Sequence, residues 1–238
     1  MSMHERGHSI QKNDQQIRQS IRDMRRSYGE DGLHESALHT DPIAQFSSWL
    51  QEAAINPYIV EANAMVLSTT QSDGAGGIYP ASRTVLLKDL DGENFTFFSN
   101  YQSAKGRQIH INPHVALLFP WYAMERQVII KGVATQVTRE VTDEYFASRP
   151  WGSQIGAWAS SQSADLESRA ELEERYQHFA QLYPEGTSVP TPPHWGGYSV
   201  RPTSIEFWQG RYSRLHDRLI FTRSSADGSS WEIARLYP

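Results

Sequence analysis

The chain has 238 residues, enough for one well-filled domain. Its formal net charge of -5 offers a polyanion such as DNA no overall attraction, and the absence of cysteine excludes a disulfide scaffold, an iron–sulfur cluster, a thiolate metal site and a cysteine nucleophile. Residues 1–19 are polar with mixed charge, and the longest apolar stretch, Val115 to Trp121, is too short to span a bilayer, so a cytoplasmic protein with neither a nucleic-acid nor a membrane partner is expected.

Residues 1–16, rich in polar side chains, are expected to form a disordered tail before a single domain over 17–238. Ile17, Ile21, Met24 and Tyr28 recur at helical spacing and predict a short amphipathic helix. Asp41-Pro42 supplies an N-cap with proline at the first helical position, opening a second helix with Phe46, Trp49, Leu50 and Ala53 on its apolar face. Strand signals follow at Ala64–Thr70 and Arg83–Lys88, and Asp91-Gly92 reads as a hairpin turn between the latter and Phe95–Phe98. Ser103–Ile111 predicts a short helix, Val115–Trp121 and Gln127–Val137 two strands, and Val141–Ser148 and Ala164–Leu182 two more helices. A proline-rich loop over Leu182–His194 leads to strands at Gly196–Trp208, Leu219–Arg223 and Trp231–Leu236, the last two joined across an Asp227-Gly228 turn. Many strands on short turns with a few inserted helices predict an α+β protein, mainly β, built on an antiparallel barrel decorated by helices.

The His residues lack zinc-helix spacing, since Asn112-Pro113 separates His110 from His114, and no metal is expected. No glycine-rich phosphate loop is present, so any phosphate must be held by side chains. Arg83 and Lys88 bracket a β-branched run, and Ser103 and Lys105 open a helix whose free N–H groups favour an anion. Taken alone, these charges read first as ordinary surface groups. Tyr145 and Arg149 are four apart on one helical face, with Ser153 close behind, and read equally as a phosphate clamp or a solvated helix end. Arg214, His216 and Arg218 alternate, which in an extended segment puts three cationic groups on one face. Like charges stacked in this way call for an anionic or electron-rich partner.

The stretch from Ile205 to Arg218 resembles the signature of the pyridoxamine 5'-phosphate oxidase family. Arg83–Lys88, Asn112-Pro113, Leu118–Trp121, Glu125–Val128, Ser148–Pro150, Ser153–Trp158 and Gln162-Ser163 are similar to further landmarks of that family, in its order. The likeness runs from about Arg25 to Pro238. It implies an FMN-binding split β-barrel with FMN at a homodimer interface, two sites per dimer. It also implies oxidation of pyridoxamine or pyridoxine 5'-phosphate to pyridoxal 5'-phosphate, with O2 as acceptor. By this resemblance Arg83 and Lys105 hold the flavin phosphate, with Gln162 and Ser163 reaching it across the dimer. Thr84, Val85, Leu86, Leu87, Lys88, Phe98, Ser99, Gln127, Trp208 and Arg218 line the rest of the flavin site. Lys88, Tyr145, Arg149 and Ser153 take the substrate phosphate. Arg214, Leu215 and His216 face its reacting end, with Arg214 and His216 as the catalytic pair, and Arg25, Arg26 and Tyr28 belong to a covering segment. The chain departs from the family pattern at Ala104 (Arg in many members), Phe98 (often Tyr), Ser27 and His34-Glu35. Two other readings are a different split-barrel flavin reductase and a non-catalytic flavin or pyridoxal-phosphate binder.

Overall fold

A computed structural model describes residues 16–24, 27–29, 32–224 and 230–238. The expected tail, apart from Gln16, lies outside the described residues, as do Arg25, Arg26 and the Asp227-Gly228 turn. Residues 16–23 are helical (α1), but the helix stops short of Tyr28, whose ring is engaged elsewhere by Trp208 and His216. Ile17, Ile21 and Met24 are exposed, so the amphipathic stripe covers no core within this chain.

Helix α2 (Pro42–Ile55) starts as expected: the Asp41 side chain accepts from the Ile43 N–H at 2.9 Å, satisfying one of the unpaired donors of the first turn. Its apolar face packs into the barrel. Phe46 meets Phe95 and Phe119 with ring centroids 4.9 Å away, and Trp49 meets Phe207 edge-on at 5.3 Å.

The strands are β1 (Ala64–Ser72), β2 (Ile78–Leu86), β3 (Asp89–Asp91), β4 (Asn94–Asn100), β5 (His114–Trp121), β6 (Arg126–Gln136), β7 (Trp195–Gln209), β8 (Asp217–Arg223) and β9 (Trp231–Leu236). Their order is β2-β1-β5-β6-β7-β4-β3, with β8 on β7 and β9 on β8, and every pairing is antiparallel. Alternate residues point inward; on β5, Val115, Leu117, Phe119 and Trp121 are buried.

The hairpin at Asp91-Gly92 exists, with Gly92 at φ 58°, but its first strand is Asp89–Asp91 and not Arg83–Lys88. Strand β2 pairs along its length with β1 instead. Leu87 and Lys88 carry the chain across: the Leu87 N–H donates to the Asn63 carbonyl at 2.9 Å and the Lys88 N–H to the Thr96 carbonyl at 2.8 Å. These two bonds tie together strands at opposite ends of the sheet order.

Strand β7 explains why the barrel is split. Its first half pairs with β4 and its second half with β8, while β6 runs alongside both. The register with β6 shifts between Lys131 and Gly132, where Thr203 is passed over in a bulge beside Pro202. Gly132 permits this, because a Cβ there would collide with the Arg201 carbonyl.

Helices α3 (Ala104–Ile111), α4 (Arg139–Ser148), α5 (Trp151–Ala159) and α6 (Arg169–Leu182) decorate the barrel. A second apolar cluster of Phe146, Ile155, Val189 and Trp195 seats α4 and α5 against the start of β7. Helix α5 was not expected, because Gly152 and Gly156 lower its intrinsic propensity; packing of Ile155 compensates. Helix α6 begins at Arg169 and not Ala164, where the Ser168 hydroxyl accepts from the Glu171 N–H at 3.1 Å. No helix among the described residues is long and apolar enough to cross a membrane.

Candidate active site

A cavity of about 480 Å³ opens between the end of β2, strand β4 and helices α3 to α5. It gathers Thr84, Val85, Leu86 and Lys88 with Phe98 and Ser99 of β4, Lys105 of α3 and Gln162. Tyr145, Arg149 and Ser153 reach it from the α4–α5 corner. Leu87 does not line it, being turned into the core, and Ser163 is exposed beside it with φ 69°. Arg83 stands behind the lining. Its Nη1 donates to Thr69 Oγ1 at 2.6 Å and its Nη2 to Gln108 Oε1 at 2.8 Å.

Lys105 is buried, and its Nζ donates to Gln162 Oε1 at 2.9 Å and to Ser99 Oγ at 3.1 Å. Burial, and then the nearby charge of Arg83, lower its pKa. Gln162 makes this contact within its own chain. Arg149, the C-cap of α4, lies with Cζ 4.6 Å over the Trp195 ring, and its pKa is lowered by burial. Its Nη1 is buried without a hydrogen-bond partner among the described residues. Gln154, also buried, holds the corner in shape by donating to the Phe146 carbonyl at 2.9 Å.

Among the described residues, none of Arg83, Lys88, Lys105 and Arg149 belongs to an ion pair. Lys88 is exposed, but Arg83 and Arg149 are partly buried and Lys105 is buried, and such cations without counter-charge are unfavourable unless an anion joins them. Beside them stands an aromatic wall: Phe98 stacks on Tyr145 at 3.9 Å and on Trp195 at 5.5 Å. Gly197 lets Phe98 come this close, since a Cβ on it would meet the ring at 2.8 Å. The donors and the wall together suit a flat, phosphorylated ligand. Sequence reasoning missed Trp195; its only signal was the Trp-Gly-Gly run after the proline-rich loop.

A second cavity, of about 500 Å³, is lined by Met24, Ser27, Tyr28, His216 and the Arg211–Arg214 turn. The expected row of Arg214, His216 and Arg218 along one strand face is not found. Ser213 and Arg214 adopt left-handed φ values of 56° and 62°, which reverse the chain in a tight turn, and β8 begins only at Asp217. Arg218 is also balanced, donating from Nε to Glu206 Oε1 at 2.7 Å and from Nη2 to Oε2 at 3.2 Å. Arg214 is exposed and without a partner among the described residues, and Leu215 is exposed beside it.

His216 is the ordered group here. Its Nδ1 accepts from the Arg211 N–H at 3.0 Å, which leaves the ring proton of the neutral form on Nε2. Burial, and then Arg214, lower its pKa. Trp208 lies 4.7 Å from the His216 ring, and Tyr28 meets both edge-on at 5.8 and 5.3 Å. Gln127 sits opposite Trp208 in the β6–β7 register. Buried Asp217 anchors the segment before α2 by accepting from the Leu33 N–H at 2.8 Å and from Arg235. The two cavities share no lining residue.

The sequence profile described as pyridoxamine 5'-phosphate oxidase matches residues 51–183, which contain the lining of the first cavity apart from Trp195. The profile described as the pyridoxine 5'-phosphate oxidase C-terminal dimerisation region matches residues 195–238, which contain Trp208, Arg214, His216 and Arg218. A pyridoxine/pyridoxamine 5'-phosphate oxidase of Streptomyces avermitilis is 48% identical over 218 residues, covering 90% of this chain and 95% of its own length. One of Rubrobacter xylanophilus is 49% identical over 221 residues, covering 93% and 98%. Among solved structures, PhzG from Burkholderia lata in complex with tetrahydrophenazine-1-carboxylic acid has a TM-score of 0.78 at 27% identity, over 88% of this chain and all (100%) of its own. A pyridoxamine 5'-phosphate oxidase-related, FMN binding protein from Nostoc punctiforme shares the fold, with a TM-score of 0.65 at 15% identity over 84% and 100%. The chain belongs to the pyridoxamine 5'-phosphate oxidase family and has its split β-barrel fold.

Proposed function

We propose that the chain oxidises pyridoxamine 5'-phosphate and pyridoxine 5'-phosphate to pyridoxal 5'-phosphate, with FMN as cofactor and O2 as electron acceptor. The observation that carries this reading is the first cavity. Among the described residues its cations have no carboxylate partners, and the buried Nη1 of Arg149 is unpaired. The residues fit two phosphates and a stacked ring. When bound, FMN would supply the two-electron acceptor, and O2 would take the electrons on and leave as H2O2. For the amine, R–CH2–NH2 + O2 + H2O gives R–CHO + NH3 + H2O2.

Lys105, supported by Arg83, holds the flavin phosphate, with Ser99 and Gln162 fixing the ammonium group. Arg149, Tyr145, Ser153 and Lys88 hold the substrate phosphate, Arg149 through its free N–H groups. The clamp favours a phosphorylated substrate over one without phosphate. Holding the donor carbon in place by its phosphate is worth several orders of magnitude in rate.

Arg214 and His216 come from a second copy of the chain. In support, the two cavities share no residue within one chain, and the segment with Arg214 and His216 matches a dimerisation region. Arg214 orients the amine or alcohol by its charge. His216, neutral and donating from Nε2, places the same group. Tyr28 and Trp208 shield it from water.

The test is anaerobic. Pyridoxamine 5'-phosphate added to the FMN-loaded protein should bleach the flavin absorbance, and admitting oxygen should restore it. A flavin spectrum that ignores the substrate would refute the reading.

A further inference from the structure

We propose that Gln108 is a positioning residue for the flavin phosphate. It fixes the Arg83 guanidinium through its amide oxygen, and because it is an amide it leaves the positive charge of Arg83 free to act on the anion. The inference rests on the reading of Arg83 and Lys105 as the phosphate-holding pair.

Gln108 lies one turn beyond Lys105 on α3 and is buried. Its Oε1 accepts from Arg83 Nη2 at 2.8 Å and from Thr69 Oγ1 at 2.6 Å. Thr69, also buried, accepts from Arg83 Nη1 at 2.6 Å, so Arg83, Thr69 and Gln108 form a closed triangle. The orientation of the Gln108 amide is set as well, because its Nε2 donates to Gln71 Oε1 at 3.0 Å. The remaining Nη1 contact of Arg83 is the Leu67 carbonyl, at 3.3 Å.

Among the described residues, every partner of Arg83 is therefore a neutral oxygen. If Gln108 only stabilised the fold, a carboxylate would serve as well, since it accepts from a guanidinium in the same place and adds an ion pair. A carboxylate would also cancel the charge. With the amide, Arg83 keeps its charge behind the cavity wall, close enough to act on Lys105, which lines it. The Nε–H of Arg83 and its second Nη2 hydrogen have no partner among the described residues. They are the donors left for a phosphate.

The test compares two flavins that differ only in the phosphate. Flavin-free, full-length protein is titrated with FMN and with riboflavin, following flavin fluorescence. In Gln108→Glu the FMN dissociation constant should rise roughly 10–100-fold, the loss of one charge-assisted contact, with riboflavin changed by less than about twofold. Unchanged FMN affinity overturns the proposal, and so does an equal loss for both flavins, which would make Gln108 a residue of the fold alone. Gln108→Met, which brings no charge, should weaken FMN less than Glu does; the reverse order contradicts the charge argument. Arg83→Leu is the reference. If it fails to weaken FMN relative to riboflavin, the reading of Arg83 falls and this inference with it. If it succeeds where Gln108→Glu does not, only the role of Gln108 is refuted.

Discussion

The Cζ of Arg149 lies 4.6 Å over the ring of Trp195, while its Nη1 is buried with no hydrogen-bond partner among the described residues. The ring holds the guanidinium in place without using its donors, so they stay available to an anion. Replacing Arg149 by Leu should raise the KM for pyridoxamine 5'-phosphate by about 10–100-fold, the loss of a charge-assisted contact, with a smaller effect on kcat. Stability should hold or rise, because an unsatisfied buried donor is removed. Steady-state kinetics and a thermal melt check both; an unaltered KM removes Arg149 from substrate binding.

The two cavities give a prediction about subunits. If Arg149 of one chain and Arg214 of another share a site, Arg149→Ala and Arg214→Ala proteins, each giving little activity at substrate well below KM, should regain activity there when mixed and allowed to exchange. Half the dimers would then be mixed, each with one intact site, so about a quarter of full activity is expected from a symmetric dimer. Mixing without any gain would place both residues in one chain's site.

His216 should set an acid limit. Its pKa lies below the ordinary 6.5, through burial first and Arg214 second, so the ring is neutral at pH 7. The expected kcat/KM is level above 6.5 and falls as pH drops through the folded pKa. Stability follows the same direction, because the unfolded ring takes up its proton at higher pH. The contribution is complete above the unfolded value and is lost as pH falls through the lower folded one. Arg214→Ala removes the neighbouring charge and should move the acid limb of the residual activity upward; a limb that stays put contradicts the coupling.

Asp217 is a structural counterpart to these groups. It is buried, accepts from the Leu33 N–H and Arg235, and has Arg211 Nη1 at 3.6 Å. Asp217→Ala leaves those donors unpaired and should cost about 2–4 kcal/mol in urea unfolding. A loss within the error of the wild-type value would show that water replaces the carboxylate.

Much of the first cavity was legible because its residues lie at element ends with clear patterns. Tyr145 and Arg149 share a helical face whether or not the helix includes Arg149, and both line the cavity. The β-strands were legible from period two, and α2 from Asp41-Pro42. The Arg214–Arg218 stretch was misread because alternation predicts one face only if the backbone is extended. Left-handed φ at Ser213 and Arg214 carries no sequence signal, neither being Gly or Asn. Helix α5 was hidden by its two glycines, and Trp195 by the long-range stacking that gives it its place. Gln108 was invisible for the same reason: the side chains it joins are 25 and 39 residues away.

The most direct measurement is aerobic conversion of pyridoxamine 5'-phosphate by the FMN-loaded protein, with pyridoxal 5'-phosphate and oxygen followed together. The account predicts product formed mole for mole with oxygen consumed, and hydrogen peroxide in the same amount. Tightly bound FMN with neither product nor oxygen uptake would contradict it and leave a flavin carrier, or a reductase with another donor, on the same barrel.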